Sequence, residues 1–212
     1  MNHENEGVDG SRKQELMQRG NKCYKTRQYQ EALDAFEEVI QLDTNDAVAY
    51  VGKGDCLRQL GRPGQALDIY EQALAIDSNY ILAYVGSSYA LVELGENYRA
   101  SRVYQEALRL DPTNASAHNI AGQIFCSQAR IGEALQVFEE AIRLATADNN
   151  LAGFYNNKGI ALCELKRYQE ALDAFVQALQ LRPGNGRYHD RILLIPKYEL
   201  ILNKLDFELS FC

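Results

Sequence analysis

The 212-residue sequence predicts an all-α fold: a solenoid of five helix-turn-helix hairpins followed by a C-terminal capping segment. Three observations predict it. The octapeptide YQEALDAF stands at Tyr29–Phe36 and again, letter for letter, at Tyr168–Phe175. A small residue recurs every 34 positions at Gly20, Gly54, Ser88 and Gly122, then after 37 at Gly159. The two octapeptides are therefore the same part of the first and fifth units, displaced by an insertion of three residues. Within each unit the large, small and aromatic positions lie three or four residues apart, which is the spacing of one helix face.

The elements follow in order. In the first unit, 13–46, Leu16 and Cys23 flank Gly20 on one stripe of a first helix, TRQ at 26–28 makes a turn, and Ala32, Phe36 and Val39 mark the buried face of a second helix. The second unit, 47–80, repeats this with Tyr50, Gly54 and Leu57, the turn LGRPG at 60–64, and Ala66, Tyr70 and Ala73. The third, 81–114, carries Tyr84, Ser88 and Leu91, the turn LGEN at 94–97, and Ala100, Tyr104 and Ala107. The fourth, 115–148, has His118, Gly122 and Phe125, then Ala134, Phe138 and Ala141. The fifth, 152–185, has Tyr155, Gly159 and Leu162, the turn LKR at 165–167, and Ala171, Phe175 and Ala178. The inserted residues fit best at Asn149–Leu151. Asp, Asn and Pro breakers in LDTND, IDSNY, LDPTN and LRPGN separate the units. A glycine inside a helix costs about 1 kcal/mol against alanine, so its recurrence implies that a facing ring or backbone approaches closely.

Composition excludes several functions. With a net charge of -7 the chain has no basic excess to neutralise phosphates, so neither nucleic acid nor an anionic membrane surface is expected as a partner. Residues 1–12 read as a mobile polar tail without the apolar core of a signal peptide, which points to a cytoplasmic protein. Five scattered cysteines, none in CxxC spacing, read as reduced thiols, and His3, His118 and His189 are too dispersed to suggest a metal site. Cys126 and Cys163 hold equivalent places in neighbouring hairpins. No phosphate-binding, dinucleotide or zinc-protease motif occurs, and the acidic pairs Glu37/Glu38 and Glu139/Glu140 lie on the polar face of second helices. No catalytic residue, metal or cofactor is assigned.

A 34-residue helical hairpin with these large, small and aromatic positions, ending in LDPTN or LRPGN, resembles the tetratricopeptide repeat family over residues 13–185. Departures are Pro63 and Asn97 at the place of Tyr29 and Tyr168, Ser101 in place of a leucine, and a fourth unit that ends in LATAD without proline. The resemblance implies a right-handed superhelix whose first helices line a concave groove for a protein or peptide ligand. The family register places Asn21, Val51, Asp55, Arg58, Val85, Tyr89, Asn119, Gln123, Asn156 and Asn157 in that groove. Some relatives clamp the C-terminal carboxylate of chaperone tails with lysines, asparagines and an arginine. Here Asn21 matches one such position, while Met17, Gly52, Leu82 and Gly86 stand at others, so that clamp is not expected. The groove instead runs from apolar residues and glycines to amides; alternatively, those glycines and valines only let the first helices pack closely.

After Asn185 the pattern breaks into an apolar segment, 186–212, with Pro196 interrupting it and charges at Lys197, Glu199, Lys204, Asp206 and Glu208 that rule out a transmembrane span. It is expected to cap the array, to form a homodimer, or to fill the groove, with Ile192, Leu194, Ile201 and Leu205 as candidate oligomer contacts. The function expected is a non-catalytic scaffold that binds a partner's peptide or helix. The alternatives are a self-assembling structural module and the sensor part of a larger signalling protein.

Overall fold

Each turn between paired helices is built the same way, and that local chemistry sets the architecture. The computed structural model describes residues 2–145 and 150–195. They form the pairs α1 (Asn2–Lys25) with α2 (Tyr29–Leu42), α3 (Ala47–Gln59) with α4 (Pro63–Ile76), α5 (Ile81–Glu93) with α6 (Asn97–Leu110), α7 (Ala115–Ser127) with α8 (Ile131–Leu144), and α9 (Leu151–Glu164) with α10 (Tyr168–Leu181). Residues 186–195 are helical too, and no strand occurs among the described residues. First helices start at Ala47, Ile81 and Ala115, where the 34-residue period places them.

The first helix of each pair ends with a residue of positive φ: Arg27, Gly61, Gly95, Ala129 and Lys166. The next residue's N–H returns to a carbonyl five back, as in Gln28 to Cys23 at 2.9 Å, Arg62 to Leu57 at 2.9 Å and Glu96 to Leu91 at 2.8 Å. This is the left-handed cap that absorbs orphan carbonyls at a helix end. Between pairs, Asp43, Asp77 and Asp111 take extended C-cap conformations. Asp46 and Asn114 then cap α3 and α7, their side chains accepting from the N–H groups of Ala49 and Ala117.

Two stretches differ from the sequence reading. Residues 2–12 belong to α1, where the sequence reads a polar tail; a helix already nucleated at 13–25 extends at low cost. Leu151 is the first residue of α9 and packs near Ala141 and Phe154, so it is not an inserted loop residue. Leu151 starts α9 one residue before the place equivalent to Ala115, and Asn149 lies outside the described residues.

The chain divides into two units, Met1–Pro112 and Thr113–Cys212. In the first unit each second helix packs on its own first helix and on the next one, α2 on α3 and α4 on α5. In addition, α1 touches α3 and α3 touches α5, with no comparable contact between α2 and α4 or between α4 and α6 among the described residues. The first helices are thus drawn together and line the inner side of this unit. The second unit repeats the scheme, with α8 on α9 and α7 touching α9.

The core follows the periodic positions. Ala32, Ala66, Ala100, Ala134 and Ala171 are all fully buried, as are Val39, Ala73, Ala107, Ala141 and Ala178. Phe36, Tyr70, Phe138 and Phe175 of the second helices each sit against a glycine of a first helix: a Cβ on Gly54 would meet Cε1 of Tyr70 at 2.6 Å, and one on Gly159 would meet Cε1 of Phe175 at 2.5 Å. At the C-terminal end, Tyr188 packs with Ala152 and Ala178, and Ile195 joins the Phe138 and Phe175 cluster. Burying such a side chain stabilises the fold by about 1.5–3 kcal/mol, and residues 186–195 thereby cover the apolar face that α9 and α10 leave open.

Candidate functional site

The inner side of the first unit carries a polar network anchored on one ring of its core. The Tyr70 ring passes between Gly54 of α3 and Gly86 of α5, where a Cβ on Gly86 would lie 2.5 Å from the ring. Its hydroxyl emerges beside α3 and donates to Oδ1 of Asp55 at 2.6 Å. One turn on, Arg58 Nη1 donates to Glu93 Oε1 of α5 at 2.7 Å, and the guanidinium lies 5.2 Å from the Tyr89 ring centre. The Arg58 side chain is only 17% exposed, and its Nε is buried with no hydrogen-bond partner among the described residues.

Burial raises the Asp55 carboxyl above its ordinary range, while the Tyr70 hydroxyl and the Arg58 charge pull it down and do not prevail. Burial, then the Asp55 charge, also raises the Tyr70 and Tyr24 phenols. For Arg58 burial works against the cation, but Tyr70, Glu93 and Asp55 together outweigh it and the guanidinium stays charged. Glu93 thus pairs directly with the Arg58 guanidinium, Asp55 lies within reach of its charge, and the Tyr89 ring stands beside the same cation.

In the second unit the amides are largely spent on one another. Asn157 Nδ2 donates to Asn119 Oδ1 at 3.0 Å, and Asn156 Nδ2 donates to Asn157 Oδ1 at 3.2 Å. Oδ1 of Asn156 is buried with no partner among the described residues. Further along, Ile160, Cys163, Phe175, Leu194 and Ile195 line a cleft of about 550 Å³ whose walls also carry Lys166, Arg187 and Arg191.

The sequence-derived groove residues therefore fall into two sets. Asn21 is exposed, and Asp55, Arg58, Tyr89, Gln123, Asn156 and Asn157 are half-buried on first helices. Val51, Val85 and Asn119 are instead in the core, at 6%, 8% and 2% exposure. Gly52 and Gly86 serve packing, since a Cβ at either would strike the Phe36 or Tyr70 ring. Of the candidate oligomer contacts, Ile192 is half-buried against the α8–α10 core and Leu194 is 42% exposed beside the cleft. Ile201 and Leu205 lie outside the described residues. Glu93 and the Tyr70 hydroxyl were missed by sequence reasoning. The signal for Glu93 was its place one turn after Tyr89; Tyr70 was legible as a buried ring but not as a donor to the inner face.

Among the described residues no cluster of His, Cys, Asp or Glu is placed to hold a metal ion. No helix among them is long and apolar enough to cross a membrane.

Comparison with known proteins places this architecture. Tetratricopeptide repeat profiles match residues 16–79 and 152–185, and a TPR repeat profile matches 89–128. No curated protein matches significantly. Among solved structures, a chain of the APC/C hetero-tetramer Cut9-Hcn1 aligns with TM-score 0.77 at 20% identity over 88% of this chain and 40% of its own length. The chain thus spans well under half of that relative. A thermophilic TPR protein of Thermus thermophilus aligns with TM-score 0.77 at 22% identity over 86% of this chain and 100% of its own. YrrB, described as a TPR protein with an unusual peptide-binding site, aligns with TM-score 0.53 at 21% identity over 86% of this chain and 90% of its own. Identities this low speak for the fold alone. With the repeat profiles and the paired helices in agreement, the chain belongs to the tetratricopeptide repeat family.

Proposed function

We propose that the inner face of the first helices binds a peptide or helix of a partner protein. The tetratricopeptide repeat fold is a protein–protein interaction module, and proteins of this family generally act as non-catalytic scaffolds. The observation that carries the reading is the Asp55, Arg58, Tyr89 and Glu93 group, which brings polar and aromatic side chains to the inner face, where the core itself uses only the Asp55 oxygen that accepts from Tyr70. Such a face supplies both hydrogen-bonding groups and flat apolar surface to an extended or helical ligand. The description of YrrB as peptide-binding supports the same use of the fold.

Site-specific photo-crosslinking tests this. A crosslinker placed at residue 89 of the full chain in cells is expected to capture a protein that one placed at the exposed Tyr98 of α6 does not. Identical products from the two sites, or none from residue 89, would count against the inner face.

A second reading, self-association through the C-terminal segment, is favoured by the exposed Leu193 and Leu194 next to the cleft. Sedimentation of the full chain and of Leu193→Asp/Leu194→Asp addresses it. A monomer in both dismisses it.

A further inference from the structure

The proposed groove of the first unit has a charge preference. We infer that it selects a ligand carrying a Lys or Arg side chain, which seats between Asp55 and Glu93 against the rings of Tyr24 and Tyr89. The inference rests on the groove reading above and names the class of peptide it takes.

Three observations converge on a cation. First, charge is unbalanced: Asp55 and Glu93 face one guanidinium, Arg58, which is already committed to Glu93 at 2.7 Å. Second, Asp55 is under-compensated. One oxygen accepts from Tyr70 at 2.6 Å, and the other has no hydrogen-bond partner among the described residues. Asp55 as a whole is half-buried, so that second oxygen sits at the edge of the face, where a ligand donor would complete it. Third, the site already holds one cation beside an aromatic face, Arg58 at 5.2 Å from the Tyr89 ring centre, and a second ring, Tyr24, lies within the electrostatic reach of both Asp55 and Arg58. Carboxylates beside aromatic faces suit an ammonium or guanidinium, which gains from both.

The opposite ligand fits poorly. An anion would have to approach Arg58 past two carboxylates, and Arg58 presents little surface. A purely apolar peptide would bury the second Asp55 oxygen without a donor, which is costly.

The test is selection of phage displaying random peptides against the immobilised full chain, the Asp55→Asn and Glu93→Gln variants, and Arg58→Gln. Asparagine keeps an acceptor for Tyr70, Glu93 is partly exposed, and circular dichroism shows which variants remain folded. Peptides bound by the parent chain are expected to be enriched in Lys or Arg at one position, and replacing that residue by Glu should weaken binding by about tenfold or more. Asp55→Asn and Glu93→Gln should each shrink the preference, whereas Arg58→Gln should keep or strengthen it. Bound peptides with no cationic preference, or a preference unchanged in both carboxylate variants, would overturn the inference and leave the groove reading standing. Enrichment of Asp or Glu would overturn it in favour of Arg58 as an anion site. Binding of no peptide at all would overturn the groove reading and this inference together.

Discussion

The Tyr70 hydroxyl lies 2.6 Å from Oδ1 of Asp55, joining the most buried ring of the first unit to a carboxylate on its inner face. The equivalent rings at Phe36, Phe138 and Phe175 lack a hydroxyl and need no acceptor. A buried phenol does, and Asp55, the residue after Gly54, supplies it.

The burial of Asp55, which outweighs that bond, makes stability depend on pH in a definite direction. Burial raises the Asp55 carboxyl above its ordinary 3.8, so the folded chain holds this proton to higher pH than the unfolded chain. The stability from this group is full below the unfolded value and is lost as pH rises through the raised folded value. Urea unfolding followed as the pH rises from about 4 is expected to show a fall in stability that Asp55→Asn removes. A slope of equal size in the variant would mean that another group carries it. Tyr70→Phe takes away the donor and is expected to cost about 1–3 kcal/mol near neutral pH.

The glycines of first helices separate into sockets and bystanders. A Cβ at Gly54 falls 2.6 Å from the Tyr70 ring, whereas one at Gly153 in α9 meets nothing within 4 Å. Gly54→Ala is therefore expected to destabilise by about 1–3 kcal/mol through overpacking. Gly153→Ala should stabilise by about 0.5–1 kcal/mol by restricting the unfolded chain. Thermal melts of the two variants moving the same way would contradict the ring-in-socket packing.

The hairpin turns hold strain that two of them avoid. Gly61 and Gly95 sit at φ +74° and +77°, while Ala129 at φ 58° adopts the same left-handed conformation with a side chain. Ala129→Gly is expected to raise stability by about 1 kcal/mol and Gly95→Ala to lower it by a similar amount. Denaturant midpoints measure both. An Ala129→Gly variant less stable than its parent would show that the turn is not held in this geometry.

Cys56 should be chemically silent in the folded protein. Its side chain is fully buried, and burial followed by the Asp55 charge pushes the thiol up to about 12. Labelling with a thiol reagent at about pH 8 is expected to reach Cys56 only on unfolding, and to reach the half-buried Cys23, Cys126 and Cys163 earlier. Labelling of Cys56 as fast as in the denatured chain would contradict its place in the core.

Local spacing was enough to read the helical hairpins, their turns and the alanine and ring core, because three- and four-residue periodicity is a property of one helix and needs no knowledge of its neighbours. Gly54 and Phe36 were legible for that reason. The inner face was not, because its chemistry joins residues of different helices: Arg58 with Glu93, 35 positions apart, and Asn157 with Asn119, 38 apart. The family register assigned Val85, Gly86 and Asn119 to the groove on position, yet a side chain is open or buried according to how closely the next hairpin approaches. At Gly86 that approach admits the Tyr70 ring, and at Asn119 it brings the Asn157 amide within 3.0 Å. Separation between helices, set by the bulk of all the side chains between them, is a cooperative property of the packed array that no single repeat spells out.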